Sequence, residues 1–228
     1  MKTAIVNFSN GKYIAGQERL VASLRNEGKY EGDILTFNNY DQVGSLSHEE
    51  APYQFKIAAM YKAYQMGYDL ILYIDASIYA TRDISDCLKT IEDKGYLLED
   101  CGFPIGNFST DYCLDFFNIN RDDAMSMKMH SAGFTGLNFK SALSSKFIGL
   151  LYDYGFRPCQ SLLKGAWNNN NNACSLDERC KGHRHDQTLA AIIASNLPMQ
   201  ITPPLYMNYY SAENKYSNEC CFVSRGLV

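Results

Sequence analysis

Tyr68-Asp69-Leu70-Ile71-Leu72-Tyr73-Ile74-Asp75-Ala76-Ser77 is a run of aliphatic and aromatic residues that ends on a carboxylate. Gly67 precedes it, and the polar segment Thr81-Arg82-Asp83 follows it. Continuous apolarity, without in-and-out alternation, marks a strand buried on both faces, as in a parallel sheet covered by helices. Such sheets bind ligands in the crevice beyond the carboxyl ends of their strands. Asp75 is therefore the expected centre of an active site.

Working outward, residues 3–8 read as a first buried strand and Ser9-Asn10-Gly11 as a turn. Ile14, Leu20, Val21 and Leu24 form a helical stripe over about 14–27, with Gly28 as its stop. Residues 32–37 predict a second strand, followed by a polar loop to Glu50. Pro52 opens a helix carrying Phe55, Ala58, Ala59, Ala63 and Tyr64, which ends near Gly67. The first third thus alternates β, α, β, α, β, an order that predicts an α/β fold with a mostly parallel sheet and right-handed crossovers. A helix is expected at 84–95, short strands at 112–117 and 134–139, and helices at 141–154 and 187–195. Five consecutive asparagines, 168–172, predict an exposed mobile loop. The tail after Pro203-Pro204 reads as irregular, with Tyr206, Tyr209 and Tyr210 as a C-terminal cover or, alternatively, folded over the ligand. The second half has the character of α+β.

The 228 residues suit a single domain with a sizeable core. A net charge of -4 without any Lys/Arg block argues against nucleic-acid binding. The longest apolar runs are too short to span a bilayer, and the N-terminus has too short an apolar segment for a signal peptide. These features, with eight scattered cysteines read mostly as buried thiols, point to a reducing, cytoplasmic setting. Seventeen tyrosines fit a carbohydrate or nucleotide site.

Four islands carry the chemistry. They are Asn7, Phe8 and Tyr13 at the first strand and turn; Lys56 in Pro52-Tyr53-Gln54-Phe55-Lys56; Asp75-Ala76-Ser77; and His183-Arg184-His185-Asp186-Gln187-Thr188 entering a helix. A sugar nucleotide satisfies all four. Its departing diphosphate needs a divalent cation and a positive side chain. Asp75 is a candidate ligand for Mn²⁺ or Mg²⁺, which prefer oxygen. Ser77, two residues along the strand, faces the same side. Lys56 or Arg184 is a candidate phosphate contact. Asp186 is the second carboxylate, acting on the acceptor hydroxyl as base or on the sugar carbon. Cys174, Cys180, His183 and His185 are zinc-type residues, but their spacing matches no common zinc module.

The order of these islands resembles the GT-A glycosyltransferases, in particular the small DxD-type enzymes of large algal viruses and some bacteria. The resemblance covers residues 1–90 and 180–195. It implies one nucleotide-diphospho-sugar transferase domain over 1–228, with a nucleotide-binding half at 1–100 and a sugar and acceptor half at 101–228. It implies hexose transfer from a nucleotide-sugar, by default a UDP-sugar, to a hydroxyl on a glycan or glycoprotein. Asn7, Phe8 and Tyr13 then match the base-binding strand and turn, and Lys56 a donor-side cation. Asp75, Ala76 and Ser77 match the strand-end motif that holds metal and diphosphate. Asp186 matches the carboxylate near the anomeric carbon, and His185, or else His183, a late metal ligand beside Asp75 and Ser77. The motif here is D-A-S and lacks the second acid of D-x-D, which implies weaker or more water-mediated coordination.

Other functions stay open at the level of sequence. A dehalogenase-type phosphatase also places Asp at a strand end, but carries a second Asp where Ser77 stands. A nucleotidyltransferase would show a Gly- and basic-rich first loop, of which Ser9-Asn10-Gly11-Lys12 is a poor version. A degenerate, lectin-like transferase that binds without turnover is the non-enzymatic alternative. Gly133-Phe134-Thr135-Gly136 is the expected close approach to the donor sugar.

Overall fold

The computed structural model describes residues 1–157, 161–209 and 220–226. Its chain order is β1 (Thr3–Phe8), α1 (Ile14–Asn26), β2 (Asp33–Phe37), α2 (Tyr40–Val43), α3 (Gln54–Gln65), β3 (Leu70–Ile74) and β4 (Ile78–Ala80). It continues through α4 (Ser85–Lys94), β5 (Tyr96–Pro104), α5 (Asp111–Phe116), α6 (Arg121–Ser126), β6 (Lys128–Asn138), α7 (Ala142–Gly155), α8 (Asp186–Asn196), β7 (Met207–Tyr209) and β8 (Phe222–Ser224).

The main sheet has the order β2-β1-β3-β6-β5. β1 pairs in parallel with β2 and β3, and β6 runs antiparallel to both β3 and β5. Four strands therefore share one direction: β1, β2 and β3, as the alternating order predicts, and β5, which it did not include. β3 lies at the centre and is fully buried. Its Ile71 and Tyr73 join Ala4, Val6 and Leu137 in a core that includes residues of α3, α7 and α8. Its Leu70, Leu72 and Ile74 join Ile5 and Phe134 in a second core with Leu20 and Leu24 of α1 and Cys87 and Ile91 of α4. Helices on both faces explain why β3 has no polar side.

The structure differs from the expectations in identifiable places. Residues 112–116 are helical and Phe117 caps their end, because the Thr110 hydroxyl accepts the Cys113 N–H and starts α5. The strand expected at 134–139 is the far end of an eleven-residue β6, whose His130, Ser131, Gly133 and Gly136 hide the apolar signal. The loop at 38–50 contains α2, opened by an Asn39/Gln42 capping box. Pro52 does not open α3. The helix starts at Gln54, after Tyr53 in a left-handed conformation with φ 59°.

The tail is also more regular than expected. β4, β8 and β7 form a small second sheet. It is anchored by the buried carboxylate of Glu99, which accepts the N–H groups of Leu205, Tyr206 and Met207. Tyr206 is buried there, whereas Tyr210 lies outside the described residues. The asparagine run is organised by Asn169, whose side chain bonds the backbone of Cys174, Ser175 and Cys180. All described cysteines are free thiols, and all but Cys101 are buried. Among the described residues no helix is long and apolar enough to cross a membrane.

Candidate active site

Asp75 is the first residue past β3. Its N–H is held by the Gly133 carbonyl at 2.8 Å, and its own carbonyl accepts the Ile78 N–H at 3.0 Å, turning the chain into β4. Gly133 is a requirement of space: a Cβ there would lie 2.6 Å from Asp75 Oδ2. On the other side, a Cβ on Gly16 of α1 would collide with the Ala76 carbonyl oxygen. The D-A-S turn is thus clasped between a helix glycine and a strand glycine.

Both oxygens of Asp75 have partners. Lys56 Nζ donates to Oδ2 at 2.7 Å, and the Tyr73 hydroxyl donates to Oδ1 at 3.2 Å. Lys56 comes from the first turn of α3, and its side chain is only 8% exposed against 28% for Asp75. Burial opposes the ammonium charge, yet Asp75 and Asp186 together outweigh it and raise the Lys56 pKa above its ordinary value. Lys56 is a fixed positive charge between two carboxylates.

Asp186 is the first residue of α8 and is buried. Burial pushes its carboxyl up to about 7, and the nearby Asp75 adds to this. Lys56 and the backbone N–H groups of Asp186 and Gln187 pull the other way. The preceding residue, His185, has φ 51° and ψ -116°, a conformation that costs a non-glycine residue about 1–3 kcal/mol. That strained step turns the chain so that α8 begins with its carboxylate at the mouth of the sheet.

Two clefts meet at this triad. The first, about 360 Å³, is lined by Phe8, Tyr13, Tyr40, Phe55 and neighbouring residues. Phe8 stacks on Phe55 at 4.4 Å and on Tyr40 at 5.3 Å, giving a wall suited to a planar ring. The second, about 160 Å³, is bounded by Gly133, Trp167, Arg184, Asp186, Gln187 and Tyr209 among others. Tyr53, Lys56, Asp75 and Ser77 line both.

Phe8, Tyr13, Lys56, Asp75, Ala76 and Ser77 are therefore brought together around the first cleft, with Arg184 and Asp186 in the second. Asn7 lines neither cleft. It is fully buried, donates to the Ile74 carbonyl at 2.6 Å, and accepts from Ser9 and Gln17. It ties the ends of β1 and β3 to α1. Arg184 is held between the rings of Phe108 and Trp167, 4.0 and 3.9 Å from their centroids.

His183 is structural. Its Nδ1 accepts the Thr110 N–H, its Nε2 donates to the Leu162 carbonyl, and burial lowers its pKa to about 3. His185 donates Nδ1–H to the Leu163 carbonyl at 2.8 Å, and its ring lies beside Tyr53 and Trp167. Burial lowers its pKa as well.

The expected seat for Mn²⁺ or Mg²⁺ on Asp75, Ser77 and His185 does not fit these contacts. Among the described residues no three His, Cys, Asp or Glu side chains converge on one point, so the zinc-type residues do not form a quartet. The one carboxylate at the position already binds an ammonium.

Sequence reasoning missed Tyr40, Phe55 and Trp167 as cleft-lining residues. Trp167 had a signal of its own: it is the one tryptophan of the chain and it adjoins a polar stretch.

No family model matches the sequence, and no curated protein matches it. Solved structures do resemble the fold. The apo form of mouse xyloside xylosyltransferase 1 matches with a TM-score of 0.55 over 98% of this chain and 97% of that one, at 9% identity. The apo structure of the bifunctional glycosyltransferase WbbM matches with a TM-score of 0.50 over 92% of this chain, at 11% identity, and the match spans 40% of that chain. The architecture is a glycosyltransferase fold, and at these identities the likeness is one of fold alone.

Proposed function

We propose that the protein transfers a hexose from a nucleoside-diphosphate sugar, with a UDP-sugar as the first candidate, to a hydroxyl of a glycan or glycoprotein acceptor. The observation that carries this reading is the grouping of Asp75 with the buried Lys56 and Asp186 at the junction of two clefts, on a glycosyltransferase fold. The base stacks along Phe8, Phe55 and Tyr40, with Tyr13 and Ser77 toward the ribose. The diphosphate lies at the junction beside Lys56. The sugar enters the second cleft under Gly133, and the acceptor approaches past Trp167 and Arg184. Residues 1–100 thus serve the nucleotide, and 101–228 the sugar and acceptor.

In the reaction the acceptor oxygen forms a bond to the anomeric carbon. The bond from that carbon to the diphosphate oxygen breaks, and the diphosphate leaves with the electron pair. The acceptor proton passes to Asp186. A carboxyl pushed up to about 7 is matched to this task, because it is partly ionised near neutral pH and basic enough to take a proton. Asp75 orients Lys56, and Tyr73 orients Asp75.

The test is release of nucleoside diphosphate from a panel of nucleotide-sugars by the purified protein, with and without glycan acceptors. Asp186→Asn is expected to lower turnover by about 10²–10⁴-fold while leaving donor binding intact. Tight donor binding with no hydrolysis or transfer across the panel would refute transfer in favour of a binding protein.

A further inference from the structure

We propose that Lys56 is the resident cation of the donor diphosphate, so that nucleotide binding requires no divalent metal ion. The inference rests on the glycosyltransferase reading and specifies how its donor is held.

Three observations carry it. First, Lys56 lines both clefts, at the place where a donor spanning them must carry its diphosphate. Second, the ammonium is fixed: Asp75 Oδ2 accepts one of its N–H groups at 2.7 Å, which leaves two donors for phosphate oxygens. A lysine on four rotatable bonds ordinarily pays an entropic cost on binding phosphate, and here that cost is met on folding. Third, the carboxylate that would hold a metal is committed on both oxygens, to Lys56 and to the Tyr73 hydroxyl. Ser77, which stands where a second acid would extend the seat, has its hydroxyl 3.5 Å from that of Ser224. The missing acid and the buried lysine thus belong to one arrangement. Asp75 and Lys56 form an ion pair that is neutral in itself, and its ammonium lines the junction of the two clefts. Breaking the donor bond leaves negative charge on the diphosphate, and the preorganised ammonium stabilises it without reorganisation.

The test is isothermal titration of the full chain with UDP, GDP and ADP, in excess EDTA and separately in Mn²⁺. At least one nucleotide is expected to bind in EDTA within about threefold of its affinity in Mn²⁺. Lys56→Met is expected to weaken it about 10- to 100-fold, the size of one charge-assisted hydrogen bond, with Lys56→Arg recovering much of the loss. Binding that vanishes in EDTA and returns with Mn²⁺ would overturn the inference and leave the glycosyltransferase reading standing. No binding of any nucleotide in either buffer would overturn both. The EDTA comparison uses the unaltered chain, so it decides the matter even if Lys56→Met fails to fold.

Discussion

Asp186 couples the stability of this protein to pH in a direction opposite to most carboxylates. Its carboxyl is raised from an ordinary 3.8 to about 7 by burial at the start of α8. At about 1.4 kcal/mol per pH unit, this is a bias of about 4 kcal/mol toward the protonated form. The native state therefore holds a proton that the unfolded chain has already released. Between the two pKa values the unfolded state binds fewer protons, so stability falls as pH rises, and the loss is complete above about 7. About 2.5 kcal/mol of it falls between about pH 5 and 8. Urea unfolding across that window, compared with Asp186→Asn, measures the effect. The asparagine has no charge to bury, so its stability advantage over the native chain should be small at low pH and grow by about 2–3 kcal/mol toward the alkaline end. An advantage that stays constant from pH 5 to 8 would refute the reasoning, since it would mean that Asp186 titrates alike in both states.

Activity should run the other way: log kcat/KM is expected to rise with pH and level off above about 7, because the base must be ionised, and a flat profile would remove Asp186 from that role. Gly133→Ala puts a Cβ 2.6 Å from Asp75 Oδ2 and should displace the carboxylate from Lys56, costing about tenfold or more in turnover with a melting shift of only a few degrees; near-normal activity would show that the pairing is dispensable. Asn7→Ala strands Gln17, Ser9 and the Ile74 carbonyl, so it should destabilise by about 1–3 kcal/mol in denaturant titration, whereas a direct base contact would instead appear as weakened nucleotide binding at unchanged stability. Trp167→Ala removes one of the two rings holding Arg184 and should raise the acceptor KM more than the donor KM in steady-state assays.

The sequence by itself determined the central strand, its neighbours and the acid at its end. These signals are local: an unbroken apolar run can be satisfied only by burial on both faces, and alternation with helices then dictates parallel pairing. It also marked Lys56, Asp75 and Asp186 as separate polar residues in apolar or capping contexts. Their meeting is a tertiary fact. Lys56 and Asp75 are 19 residues apart and Asp186 more than 100 further on, so only the packing of α3 and α8 on one face of the sheet unites them. The same holds for the roles that changed. Asn7 turned inward because the ends of β1 and β3 each had a polar group to satisfy. The two histidines went to backbone carbonyls at Leu162 and Leu163. β5 and the small sheet of β4, β8 and β7 were illegible because bulges and a buried Glu99, rather than any apolar periodicity, hold them in place. Above all, the chain placed an acid where a metal seat was expected, and the fold set an ammonium on it. Local pattern reports which groups a segment offers. Whether a carboxylate ends up ligating an ion or pairing with a lysine depends on the charge that tertiary packing brings within about 3 Å of it.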